Sequence, residues 1–184
     1  MAEKVNAIKN KEDIKKVMGI LKEKNETVYV FFVLGISTGI DPNDLINLKI
    51  KDIKKAISLT KLKVNKKVIS LNNDNLGILD NFIKNKSEEA YLFENKRTLK
   101  PYTTRSIGKI INDAVNEAGL KYNVAVKGLK KTYAYLIYKK IEEKEGALLA
   151  TIILKKILGH GCLNRTIDFL GLEENLTKEC FEII

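Results

Sequence analysis

Cysteine, histidine and long apolar runs are all scarce in this chain. The two cysteines, Cys162 and Cys180, are too few and too far apart for a metal site, and the single histidine, His160, leaves no second imidazole to help them. No metal or other cofactor is expected. Two thiols without a disulfide framework fit a reducing cytoplasm. The longest apolar run, Val28 to Ile36, is too short to span a bilayer. Met1-Ala2-Glu3-Lys4 has no apolar segment of the signal-peptide kind. Repeats, low-complexity tracts and Gly/Ser linkers are also missing. The expectation is a cytoplasmic protein without a membrane segment.

Positive charge, by contrast, is abundant. Against 23 Asp and Glu stand 33 Lys and Arg, a formal net charge of +10 with a pI near 9.4. Such a balance points to a polyanionic partner, nucleic acid before others, although a Lys-rich surface on any protein gives the same sum. At 184 residues the chain fits one domain, with room for two small lobes. A chain of this size buries roughly 70% of its unfolded surface, enough for a core without staples.

The first nine residues read as a polar tail. Asn10 to Lys24 predicts an amphipathic helix with Ile14, Val17, Met18 and Leu21 on one face. Val28 to Ser37 predicts a buried helix stopped at Gly39. Asp41-Pro42-Asn43-Asp44 opens the next helix, with Asp41 at the N-cap and Pro42 at N1. Ala56 to Val64 and Lys67 to Leu71 read as two strands around a turn at Asn65. Asp74 is the expected cap of a helix from Asn75 to about Lys86. Tyr91-Leu92-Phe93 leads into a basic loop, Asn95 to Pro101. Thr103 or Thr104 caps a helix to Ala118. Further helices are expected over Lys127 to Lys140, Ala147 to Leu158, Asn164 to Leu170 and Glu173 to Ile184. The order is helices, a small antiparallel sheet, then helices: an α+β chain, mostly α-helical.

Three segments carry the chemistry. The first is Ser37-Thr38-Gly39-Ile40-Asp41-Pro42-Asn43-Asp44-Leu45. The second is Lys127-Gly128-Leu129-Lys130-Lys131-Thr132-Tyr133-Ala134. The third is Leu158-Gly159-His160, followed nine residues later by Phe169. In this order, with a β-hairpin between the first two, they resemble the catalytic domain of the tyrosine recombinases (the phage integrase family). The resemblance covers about Val28 to Phe181, and implies the DNA breaking-and-rejoining fold, with residues 10–184 as the catalytic-like domain.

In that family a tyrosine attacks a phosphodiester. Arginines and a histidine hold the phosphate as it gains charge, and a hairpin lysine protonates the leaving oxygen. Fixed donors suit such a phosphate, planar guanidinium forks best of all. Position by position, this chain departs from that pattern. Asp41 stands at the first arginine position. A carboxylate there repels a phosphate by about 3–4 kcal/mol at roughly 4–5 Å, taking an effective dielectric of about 20. Its role as an N-cap explains it better. Lys127 replaces a histidine, and Lys130 replaces the second arginine with loss of the fork. His160 is retained. The hairpin lysine is Lys61 or Lys63, and both also suit a solvated strand face. Phe169 stands where the nucleophile belongs and has no hydroxyl; a core aromatic on a short helix is its plainer role. Tyr133, Tyr135 and Tyr138 have helical spacing and read as core or helix-surface residues. Cys162 is too near His160 to stand in for residue 169.

Lys61, Lys63, Lys66, Lys67, Lys100, Arg105, Lys127, Lys130, Lys131 and Arg165 fall in segments that face DNA in the resembling family. Lysines neutralise phosphates without reading sequence. Arg97 and Arg105 are the better candidates for a base edge, or are ordinary surface charge. Only 36 residues precede the first segment, so the family's N-terminal clamp domain is expected to be absent. The last helix, with Leu176, Cys180, Phe181 and Ile184 on one side, can pack in a neighbouring subunit or fold back in cis.

The resulting expectation is a catalytically inactive, recombinase-like protein that binds double-stranded DNA and regulates or assists a phage or other mobile element. The alternatives are an active recombinase with an unusual nucleophile, and an interaction module that pairs with an active recombinase.

Overall fold

The computed structural model describes residues 5–65 and 67–172. Lys66 and the expected last helix, Glu173 to Ile184, lie outside the described residues. The rest is mostly helical, as the sequence predicts, with two small antiparallel sheets where one was expected.

Helices α1 (Lys11–Lys24) and α2 (Glu26–Thr38) share Asn25, which ends the first and caps the second through the Val28 N–H at 3.1 Å. α1 buries Ile14, Val17 and Leu21, each worth about 1.5–3 kcal/mol when fully removed from water. α2 is apolar nearly all round, with Phe31, Phe32 and Leu34 buried, and touches α1 and three later helices, over Asn73–Ile83, Thr104–Glu117 and Ala125–Glu145. Gly39 ends it in the left-handed conformation, φ 64°.

α3 (Pro42–Ile46) starts as expected: the Asp41 carboxylate accepts from the Asn43 N–H at 3.0 Å, with Pro42 next. The predicted strand from Ala56 is a helix for its first part. α4 spans Ile50–Leu59 and buries Ile50, Ile53 and Ala56, a three-residue spacing that alternation counting overlooks. Its N-terminus is tied down by Asp52, whose carboxylate accepts the Lys49 N–H at 3.1 Å. Only β1 (Lys61–Val64) and β2 (Lys67–Ser70) form the hairpin, with Asn65 in the turn at φ 54°. Lys61 pairs with Ser70, and Lys63 with Val68.

α5 (Asn73–Ile83) is capped by Asn72 rather than Asp74, since the Asn72 side chain reaches the Asn75 N–H at 2.8 Å. Both residues suit a cap, and the one directly behind the strand takes the role. β3 (Glu94–Asn95) and β4 (Lys100–Pro101) bracket the basic loop. Thr103, not Thr104, caps α6 (Thr104–Glu117).

α7 (Ala125–Glu145) is longer at both ends than the sequence suggests. Its start has no side-chain cap of its own; Asn112 on α6 accepts both the Val124 and Ala125 N–H groups, at 3.1 and 3.2 Å. α8 (Ala147–Leu158) and α9 (Leu163–Leu170) follow. α7 joins two cores. Leu129 belongs to the large one, while Ala134 and Tyr138 pack with Ala150, Leu154 and Leu170 in a smaller one.

Residues 5–8, expected in a polar tail, pack on α7 instead. Ile8 is fully buried and its N–H donates to Thr132 Oγ1 at 2.9 Å. Asn6 N–H donates to the Asn123 carbonyl at 2.8 Å. Gly128 makes room for this segment: a Cβ there would lie 2.5 Å from the Asn6 carbonyl oxygen. Among the described residues no single helix is long and apolar enough to cross a membrane.

Candidate nucleic-acid interface

The first and second motif segments meet where α2 crosses α7. A Cβ on Gly35 would lie 2.7 Å from Leu129 Cδ1, and one on Gly39 would lie 2.3 Å from Tyr133 Cδ1. Bare backbone at these two positions lets the helices close, and sets the Thr38–Asp41 turn against the Lys127–Ala134 face. Asn75 steadies the same turn from α5, donating to Ser37 Oγ at 2.9 Å.

Beside this junction lies a cavity of about 870 Å³ between the hairpin, the α2–α3 turn, α7 and the end of α8. Asp41, Asp44, Lys67, Lys130 and Tyr133 are among its polar lining, and Ile137, Ile157 and Leu158 form an apolar wall. Asp41 and Lys130, which the sequence resemblance sets at the two arginine positions, therefore share one space. Lys61 and Lys63 stand exposed on β1 and do not line it. Lys67, from the second strand, does.

The third segment folds over α7 next to this cavity. Gly159 ends α8 with φ 71°, and His160 N–H caps the helix on the Lys155 carbonyl at 3.0 Å. The imidazole Nδ1 is 3.0 Å from Thr166 Oγ1. Its ring meets Phe169 edge to face, with centroids 5.4 Å apart and planes at 71°. Phe169 is half-buried at the margin of the smaller core, so it is less a core aromatic than the partner of the histidine. Lys131 Nζ lies 5.7 Å from the Phe169 ring centroid and also donates to the Val5 carbonyl at 2.9 Å. Burial, then the charges of Arg165 and Lys130, hold the His160 pKa below its ordinary value. Lys130, Lys131, His160, Arg165 and Phe169 thus form one neighbourhood.

The remaining predicted contacts spread outward. Lys127 is exposed in the first turn of α7, Arg105 in the first turn of α6, and Arg97 and Lys100 on and beside the β3–β4 loop. Among the described residues, ion pairs hold Lys15, Lys24, Lys49, Lys51, Lys54 and Lys139, none of which was assigned to the interface.

The three α7 tyrosines have other work. Burial raises the Tyr133 pKa. Tyr138 donates to Glu142 Oε1 at 2.8 Å, and burial, then that bond, push its pKa up to about 12. Lys9 Nζ stands 5.1 Å from the centroid of Tyr135. A raised phenol pKa opposes the ionisation that a nucleophile needs. Sequence reasoning missed Thr166 and the two cap residues Asn112 and Asn72. It placed Tyr133 among core or surface residues, where the fold sets it in the cavity wall.

Residues 9–168 match the sequence profile described as the phage integrase family. The chain belongs to that family. Within it, the chain is 26% identical over 183 residues to the "Probable integrase/recombinase YoeC" of Bacillus subtilis (strain 168), covering 97% of this chain and 96% of that protein. The fold of this integrase-family chain is similar to that of XerA recombinase, with a TM-score of 0.70 at 19% identity over 98% of this chain. It also resembles a lambda integrase dimer bound to a COC′ core site, with a TM-score of 0.63 at 16% identity over 92% of this chain. It spans 64% of the XerA chain and 49% of that lambda integrase chain.

Proposed function

We propose that this integrase-family chain binds double-stranded DNA through its phosphates, does not cleave it, and acts as a regulator or accessory factor of a phage or other mobile element. The observation that carries the reading is the pair at the centre of the interface. Phe169, with no hydroxyl, packs on His160 at the nucleophile's place, and Asp41 lines the cavity opposite Lys130. Phosphate transfer needs a nucleophile and a cluster of positive donors. Here the nucleophile is lacking, and one arginine position carries the opposite charge.

DNA binding is supported by the cations that remain. Lys67, Lys130, Lys131 and Arg165 surround the cavity and the histidine, with Lys61, Lys63, Lys127, Arg97, Lys100 and Arg105 further out. The lambda integrase that shares the fold is a dimer on DNA. Pairing of copies through residues 173–184 belongs to the same reading; a module that pairs with an active recombinase instead is the alternative. So does a DNA-associated location in the cytoplasm.

The deciding experiment uses nicked suicide duplexes carrying a recombination-type site. No covalent protein–DNA adduct is expected on a denaturing gel. An adduct would sink the inactive reading, and one mapping to Tyr133, the phenol in the cavity wall, would establish an unusual nucleophile. Duplex affinity should fall steeply with salt. The double variant Lys127→Ala, Lys130→Ala should make that slope shallower by about 1–2. Salt-independent binding, or none, would favour the interaction-module reading.

A further inference from the structure

The chain's one imidazole is held by a side chain outside the three motifs' charged and aromatic residues. Thr166 is fully buried on α9, and its hydroxyl oxygen is 3.0 Å from His160 Nδ1. The other buried threonines among the described residues turn back on their own helix: Thr38 donates to the Leu34 carbonyl, Thr132 to Gly128 and Thr151 to Ala147. Thr166 has the same option four residues back, at Cys162. It makes no hydrogen bond to a carbonyl among the described residues.

The Thr166–His160 bond can run in two directions. If Nδ1 carries the proton and donates, the Thr166 hydroxyl hydrogen is left buried with no acceptor among the described residues. If the hydroxyl donates to the Nδ1 lone pair, both groups are satisfied. Folded proteins avoid a buried donor left unmade, so the second direction wins. A neutral imidazole then carries its proton on Nε2, which makes no hydrogen bond to a described residue.

We infer that Thr166 is a positioning residue that fixes His160 as the neutral Nε2–H tautomer, which leaves that N–H free for the phosphate contact that the family's histidine makes. The phosphate is the one proposed above, and this part rests on that reading. The surroundings agree. Lys130 and Lys131 come from α7, Lys155 and Lys156 from the last turn of α8, and Arg165 from α9, against Asp168 on the same helix. Burial and two of these cations already disfavour the imidazolium. Protonation would also force Thr166 to become an acceptor and strand its own hydrogen. The edge contact with Phe169 resists rotation of the ring. Charge for the phosphate is supplied by the neighbours. The histidine supplies direction, since a hydrogen bond weakens steeply off its axis.

The test reads the tautomer directly. A long-range 1H–15N correlation spectrum of the labelled full chain contains one histidine, so its ring signals are unambiguous. At about pH 7.5 the neutral Nε2–H pattern is expected. Thr166→Val should give a mixture of tautomers and an upward-shifted titration, and Thr166→Ser should restore the wild-type pattern. An Nδ1–H pattern in the wild type would overturn the inference, as would a Thr166→Val spectrum identical to it. Should the valine variant fail to fold, the wild-type tautomer alone decides. These spectra need no DNA, so they stand apart from the functional reading. Adding duplex is the second arm. A shift of the Nε2 signal is expected, and its absence would remove the phosphate from the proposal while leaving Thr166 its positioning role.

Discussion

Phe169 meets the His160 imidazole edge-on at 5.4 Å, with the Lys131 ammonium 5.7 Å from the same phenyl ring. A phenol in place of that phenyl would stand among the groups that a phosphate-cleaving site uses. Phe169→Tyr adds one oxygen to a half-buried ring and should change stability by less than about 1 kcal/mol. It should still give no adduct, because Asp41 and Lys130 leave the phosphate without guanidinium forks. The triple variant Phe169→Tyr, Asp41→Arg, Lys130→Arg should give adduct on labelled suicide duplexes. If the single change suffices, the loss at Asp41 is no obstacle and the chain is one substitution from activity.

Asp41 has two separable effects. Its carboxylate caps α3, and its charge faces the cavity that holds Lys130. Asp41→Asn keeps a cap and removes the charge, so stability should move by only a few tenths of a kcal/mol. Duplex affinity should rise. The side chain is exposed, so solvent screening cuts the repulsion to about 1 kcal/mol, or roughly fivefold in affinity at low salt. Fluorescence anisotropy at two salt concentrations checks both the size and its decay with salt. Asp41→Ala should show the same gain in binding with a stability loss near 1 kcal/mol.

Much of the frame was readable in the sequence because its signals are local. Gly39 after an apolar run, Asp41-Pro42 ahead of a helix, and Gly159 after Leu158 each act within a few residues of themselves. The errors arose where distant groups decide. Ala56 to Thr60 alternates well enough for a strand, yet Ile50, Ile53 and Ala56 share a helical face that needs a core to bury it. Residues 5–8 lie in what reads as a short polar tail, and the Gly128 gap and the Thr132 hydroxyl on α7 give them a seat. The site follows the same rule. His160 and Phe169 were legible from their spacing, but the contact between them depends on how α9 turns over α7. Thr166 became visible only through the Nδ1 atom it touches.

Gly39 joins the first motif to the second, and its replacement should be costly. A side chain there is strained at φ 64°, by about 1–2 kcal/mol, before any contact is counted. The added Cβ would then lie 2.3 Å from the Tyr133 ring, half-buried in the cavity wall. Gly39→Ala should lower stability by about 2–4 kcal/mol in urea melts, combining backbone strain with overpacking. In a Tyr133→Ala background Gly39→Ala should cost only the backbone part. A Gly39→Ala cost unchanged in that background would show that the ring is not what the glycine accommodates.

His160 also gives the fold a pH dependence with a definite sign. Its folded pKa lies below the ordinary value of 6.5, through burial first and then Arg165 and Lys130. The unfolded chain, with an imidazole pKa near 6.5, therefore binds more protons than the folded one in the window just below that value. Stability contributed by the neutral ring is fully present above about pH 6.5 and is lost as pH falls through the folded pKa. Carboxylates contribute in the same direction at lower pH, Glu142 among them, its pKa lowered by Lys139. The histidine's share is isolated by difference. Urea midpoints of the wild type and His160→Gln, measured between about pH 5 and pH 8, should diverge only below about pH 6.5. The wild type should lose stability there faster than the glutamine variant. Parallel curves would mean that the imidazole titrates alike in the folded and unfolded chains, and that neither Thr166 nor the surrounding cations keep it neutral.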